Sequence, residues 1–147
     1  VWTENTGYEV FQGKGKVAGR LIGGCGGPLR QMMGTCVFPT VDMWKDSIIF
    51  LECPAPYGKL SGLHELRAFA ATGMFRLAKG LICTYMDDDD KENLAKVIRD
   101  EEGLNDLPIL LNVDFGHRTP MTVLPIGAMA EMDCDNAKFS ILESGVI

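Results

Sequence analysis

Histidine is among the scarcest of the reactive side chains in this sequence: His64 and His117 are the only two. Serine is hardly richer. Ser47, Ser61, Ser140 and Ser144 make up the whole set, and none sits in a G-x-S-x-G elbow of the kind that exposes a nucleophile. No G-K-[ST] occurs, so there is no P-loop. The cysteines (Cys25, Cys36, Cys53, Cys83 and Cys134) are odd in number and never form C-x-x-C. That pattern reads as reduced, cytoplasmic thiols rather than a disulfide frame or a zinc site. No apolar run approaches the ~18 residues that would span a bilayer, and no signal peptide is visible, so no membrane partner is expected. Positive charge is thin as well. The formal net charge is −6 and the basic residues are scattered. A nucleic-acid partner needs a concentrated lysine or arginine face, so none is expected.

What is present suits one globular domain of 147 residues, long enough to bury a core, with 46% hydrophobic and 23% charged residues. The chain begins at Val1 rather than methionine, which reads as a cut or processed piece. The hydrophobic pattern predicts an α/β order. Short strands are expected around Val10–Phe11, Val17 and Leu21–Ile22, between glycines. "PLRQMMG" makes a helical turn or two behind Pro28. "DSIIFLE" (46–52) is a buried strand. A helix follows over 61–73, with Leu63, Leu66 and Ala70 on one stripe, Ser61 as N-cap and Gly73 just past its end. "GLICTYM" (80–86) is a second buried strand. A helix over 87–103 starts on four aspartates and buries Leu94, Val97 and Ile98. "PILLNV" (108–113) is a third strand, and "MTVLPIG", "AMAEMD" and "KFSILES" read as a closing set, with "CDNA" as a hairpin turn.

Several motif-like stretches lack the context their chemistry needs. Gly13, Gly15 and Ala18 fit a relaxed G-x-G-x-x-A fingerprint, but "RLIGGCGG" follows and is poor material for the helix start that a pyrophosphate needs. Turns between strands explain those glycines better. The aspartate run fails as an EF-hand, because counting from Asp88 puts Asn93 and Arg99 where glycine and glutamate belong. His64 has no evident partner.

Glu52 and His117 hold up better. Each leaves the C-terminal end of an apolar strand, the place where α/β folds present functional groups. A glutamate that accepts a hydrogen bond from a histidine fixes the ring's tautomer and stabilises the imidazolium. That is the orienter–base half of a nucleophilic hydrolase. Cys25, between glycines in "GGCGG", is the one internal nucleophile this arrangement suggests, and a Cys25–His117–Glu52 cysteine hydrolase is one alternative. An ordinary small thiol in a glycine turn is the plainer reading of Cys25.

Taken together, "GKVAGRLIGGC", "IIFLE", "LHELRAFAATGMF", "KGLICTYM", "LPILLNVDFGHRTPMTVLPIGAMAEMD" and "FSILE" resemble the C-terminal domain of the LD-carboxypeptidase family, which includes the microcin C immunity peptidases of the MccF-like type. The resemblance runs from about Lys16 to Glu143. It implies a swivelling β/β/α domain, of mixed short strands with two main helices. Residues 1–147 would then be the C-terminal half of a cytoplasmic serine peptidase whose N-terminal nucleophile domain lies elsewhere in the polypeptide. It implies a Ser–His–Glu triad to which this half contributes Glu52 and His117, with no metal and no cofactor, in enzymes that commonly form homodimers. It implies as substrate either the L–D amide of a murein peptide, in cell-wall recycling, or the amide joining a peptidyl aspartate to a nucleotide antibiotic. Arg118 is a candidate contact for a substrate carboxylate or phosphate, with a surface ion pair as its plain alternative. Cys53 stands where the family usually has an acidic residue. A non-catalytic binding domain of the same fold is the remaining alternative.

Overall fold

The computed structural model describes residues 7–52, 59–117 and 119–146. One seven-stranded mixed sheet runs in the order β1-β5-β4-β3-β2-β6-β7. Its strands are β1 (Glu9–Gln12), β2 (Lys16–Cys25), β3 (Ile48–Glu52), β4 (Gly80–Cys83), β5 (Ile109–Leu111), β6 (Met129–Asp133) and β7 (Lys138–Ile141). The helices are α1 (Gly26–Gln31), α2 (Val41–Trp44), α3 (Lys59–Ala71), α4 (Met74–Leu77) and α5 (Asp88–Ala95). The last of these continues through a π-helical segment, Lys96–Glu101. The two long helical stretches are those expected from the pattern.

The centre is parallel because helices cross over between strands: β2, β3, β4 and β5 all run in one direction. Such strands are covered on both faces, so they read as unbroken apolar runs. All five residues of β3 are buried. Period two then divides them. Ile49 and Leu51 join Leu66, Phe69, Leu94, Val97 and Ile98 of the helices in one core. Ile48 and Phe50 join Phe115, Ala130 and Met132 in a second core on the opposite face.

β2 is the hinge of the sheet. Lys16–Arg20 pair antiparallel with β6, and Leu21–Cys25 pair parallel with β3. The sequence suggested separate short strands broken by glycines. Instead one ten-residue strand runs through them. Its glycines admit close neighbours: a Cβ on Gly23 would run into the carbonyl oxygen of Phe50 on β3. A second expectation also fails. "MTVLPIG" is not a strand but an exposed loop, with Met121, Val123 and Ile126 all more than two-thirds exposed. Pro125 has no N–H for a ladder, and the Thr122 N–H bonds to the Asp114 carbonyl at 2.7 Å instead. The "CDNA" hairpin forms as expected, with β6 and β7 antiparallel and the Asp133 carboxylate accepting from the backbone of Asp135 and Asn136.

Helix boundaries shift slightly. Ser61 lies inside α3, which begins at Lys59, so it is no N-cap. Gly73 does adopt the left-handed conformation (φ 79°), as a residue past the helix end should. Asp87 caps α5, accepting from the Asp90 N–H at 2.9 Å.

Asp90 is crowded by its own cluster. Burial first, then Asp87 and Asp89, push its carboxyl from the ordinary 3.8 up to about 6, against a backbone hydrogen bond from Asp87. Between those values the folded chain binds more protons than the unfolded one. Its stability therefore falls as pH rises through this window and levels off above it. Asp90→Asn has no charge to bury. From pH 4 to pH 7 its stability should improve relative to the parent by about 1–2 kcal/mol, discounted for partial exposure. Urea unfolding of both proteins at the two pH values checks this.

Candidate active site

Glu52 ends β3, and Cys25 ends β2 directly beside it in register. The strands that lead to Glu52 and His117 are not paired, because β4 lies between β3 and β5. His117 reaches Glu52 by another route. After β5 the chain crosses the end of β4. The Asn112 and Val113 N–H groups donate to the carbonyls of Thr84 and Cys83, and the buried Thr84 hydroxyl donates to the Phe115 carbonyl at 2.9 Å. The Phe115 ring meets Phe50 edge to face, with centroids 5.9 Å apart. The loop is thereby fastened over the sheet end, and His117 is delivered to Glu52.

The contact is close and two-fold. The His117 backbone N–H donates to Glu52 Oε1 at 2.6 Å, and Nδ1 stands 2.9 Å from each carboxylate oxygen. Glu52 is buried, so these donors answer a carboxylate that water cannot reach freely. A carboxylate only accepts, so the geometry makes Nδ1 the donor and leaves the lone pair on Nε2. The ring itself is outward, with 81% of the His117 side chain exposed. The pair can hold one tautomer and offer an outward-facing base.

Gly116 makes the approach possible. Its φ is +89°, and a Cβ there would collide with the Glu52 carboxylate.

Around the pair lies an open groove of about 240 Å3, lined by Cys25, Phe50, Glu52, Phe115, Gly116 and Leu124 among others. No serine lines it among the described residues. The Cys25 thiol is pushed up, first by burial and then by the negative charge of Glu52, with Glu65 adding to it. That holds the proton on sulfur and is the reverse of what activates a nucleophilic cysteine. Cys25, Glu52 and His117 are also the residues here that could hold a metal ion, their ligand atoms lying within 4.8 Å of one another. His64 is exposed on α3 and does not line this groove. Arg118 and Cys53 lie outside the described residues. Thr84 is the participant the sequence hid, since inside "GLICTYM" it reads as one more strand position.

Comparison with known proteins gives a consistent relationship. The profile of the LD-carboxypeptidase C-terminal domain family matches residues 18–132. A Treponema pallidum protein with a provisional carboxypeptidase assignment is 31% identical over 134 residues, covering 89% of this chain and 39% of its own length. The Escherichia coli microcin C7 self-immunity protein MccF is 30% identical over 141 residues, covering 91% of this chain and 39% of its own. The chain therefore spans about two-fifths of the curated relatives it matches. Among solved structures, an MccF-like protein of Streptococcus pneumoniae in complex with AMP superimposes with a TM-score of 0.78 at 26% identity, over 96% of this chain and 46% of that one. An MccF-like protein of Bacillus anthracis gives 0.74 at 29%, over 94% and 43%.

Gly116→Ala should break the Glu52–His117 contact, because it adds a collision to the strained φ. Gly73→Ala is the control, since Gly73 has a similar φ (+79°) but open space around it. Strain alone costs on the order of 1–3 kcal/mol. We expect that loss from Gly73→Ala, a larger one from Gly116→Ala, and a displaced His117 ring resonance in the second variant only. Thermal unfolding and imidazole NMR on both read this out.

Proposed function

The chain belongs to the LD-carboxypeptidase C-terminal domain family, and on that premise we propose that it supplies Glu52 and His117 to a Ser–His–Glu amide hydrolase. The serine stands in an N-terminal nucleophile domain of the same polypeptide. The observation that carries this reading is the exposed Nε2 of an imidazole whose Nδ1 is held 2.9 Å from both oxygens of a buried carboxylate.

The chemistry follows from that geometry. Nε2 takes the proton of the attacking serine hydroxyl. Positive charge then develops on the ring, and the Glu52 carboxylate stabilises it without itself taking the proton. The histidine returns the proton to the leaving amine, and water repeats the cycle on the acyl-enzyme. Because the base faces outward from a groove with no serine of its own, the reaction needs a second surface brought against this one. The same feature favours the split site over a self-contained cysteine hydrolase, as does the raised Cys25 thiol.

The substrate is a peptide-type amide: either the L–D bond of a murein peptide or the link between a peptidyl aspartate and a nucleotide. The AMP complex of the Streptococcus pneumoniae relative favours the nucleotide-linked class. Arg118 is a candidate for the substrate's anionic group. Among the described residues no helix is long and apolar enough to cross a membrane, and we take the enzyme to act in the cytoplasm, without a cofactor and as a homodimer.

The test uses the full-length protein with both amide classes. His117→Ala should abolish turnover. Glu52→Gln keeps the size, removes the charge and can present an amide N–H to Nδ1. It should lower kcat on the order of 10²–10⁴-fold with little change in the thermal midpoint. Near-normal turnover in Glu52→Gln would take the carboxylate out of the site. Absence of turnover in the parent, with both substrates bound, would favour a non-catalytic binding domain.

A further inference from the structure

The hydrolytic reading leaves Cys25 idle, yet its sulfur sits with the two groups that reading uses. The Cys25 Sγ, a Glu52 carboxylate oxygen and a His117 ring nitrogen all lie within 4.8 Å of one another, which occurs nowhere else for three such ligands among the described residues. Tetrahedral zinc, with bonds of about 2.3 Å to sulfur and about 2.0–2.1 Å to nitrogen and oxygen, sets its ligand atoms roughly 3.3–3.6 Å apart. Fitting these three around an ion asks the longest separation, up to 4.8 Å, to close by about 1.2 Å and the 2.9 Å between Nδ1 and the carboxylate to open by about 0.4 Å.

Four further features suit an ion here. The donors are thiolate, imidazole and a single carboxylate, a set that favours borderline cations over magnesium or calcium. The carboxylate is already oriented, since the His117 backbone N–H holds Oε1 at 2.6 Å. The groove is open at this point, which gives the ion a path in and a fourth position for water. Thiolate and carboxylate together cancel the ion's two positive charges, so the occupied site is neutral.

We propose that Cys25, Glu52 and His117 form a three-ligand site for a divalent cation of the zinc class, and that the bound ion disables His117 as a base. On binding, the Sγ–H proton leaves to solvent and a sulfur–metal bond forms. Nδ1, the ring nitrogen that faces Glu52, loses its proton to solvent and bonds the metal, while Nε2 takes one proton from solvent, so the ring stays neutral. The neutral ring then carries its one proton on Nε2, which has no lone pair left to accept another. The binding stands on the three side chains alone. The block of hydrolysis rests on the function proposed above.

The experiment titrates cobalt(II) into this chain in the absence of small thiols, then adds zinc. The expected result is a thiolate-to-cobalt charge-transfer band with tetrahedral visible absorption, both erased by zinc. Cys36→Ser and Cys53→Ser should keep the band. Cys25→Ser should lose it. His117→Ala should weaken binding at least about tenfold, since removing even an outer-sphere partner costs that much. Zinc added to the ¹⁵N-labelled parent should move the His117 Nδ1 resonance, a reading that survives if Cys25→Ser fails to fold. No band in the parent, or a band that persists in folded Cys25→Ser, overturns the site and leaves the hydrolase reading intact. On the full-length enzyme, zinc should inhibit and a chelator should restore activity. Binding at Cys25 without inhibition would instead count against His117 as the base.

Discussion

A carboxylate at the end of a strand buried on both faces must be met by hydrogen-bond donors, and the arrangement around Glu52 follows from that demand. Its own strand offers none, because Ile48, Ile49, Phe50 and Leu51 are apolar and packed. The donors come from His117, through both its backbone N–H and its ring. Burial makes this pairing strong, because an unanswered buried carboxylate costs several kcal/mol. One contact therefore fixes the ring's tautomer, its direction and the course of the loop that carries it.

The rest of the fold can be understood as the means of holding that loop. Between β5 and Glu52 stands β4, so the chain has to cross a strand end to arrive. It does so by bonding to the carbonyls of Cys83 and Thr84 and to the Thr84 hydroxyl, and by burying Phe115 against Phe50. Beyond the histidine, the loop gives up ladder hydrogen bonds and exposes Met121, Val123 and Ile126. An apolar loop beside an outward-facing imidazole suits a surface that another domain completes.

Much of this was legible from residues alone, and the remainder was not for definite reasons. The apolar run ending in Glu52, the strand before His117 and the stripe Leu94, Val97, Ile98 all show in the periodicity, because burial imposes period two or 3.6 on neighbouring residues. Strand order is a long-range property, so nothing in the local pattern shows that β4 separates β3 from β5. β2 looked broken because its glycines are favourable turn residues locally, whereas in the fold they admit the backbone of β3. "MTVLPIG" reads as a strand because it is rich in apolar residues, whereas Pro125 has no N–H for a ladder and the Thr122 N–H is taken by the Asp114 carbonyl. Thr84 had no signal, since a hydroxyl that reaches a carbonyl 31 residues away leaves no mark on local pattern.

The central claim is that this chain by itself holds the Glu52–His117 pair ready, with Nδ1 protonated and Nε2 open. Long-range ¹H–¹⁵N correlation of the imidazole rings at neutral pH tests it most directly, with exposed His64 as the internal reference for a free ring. The account predicts that His117 is the Nδ1–H tautomer, with a ring proton protected from exchange, while His64 shows neither feature. A His117 ring that is Nε2–H, or that averages and exchanges as His64 does, would contradict it.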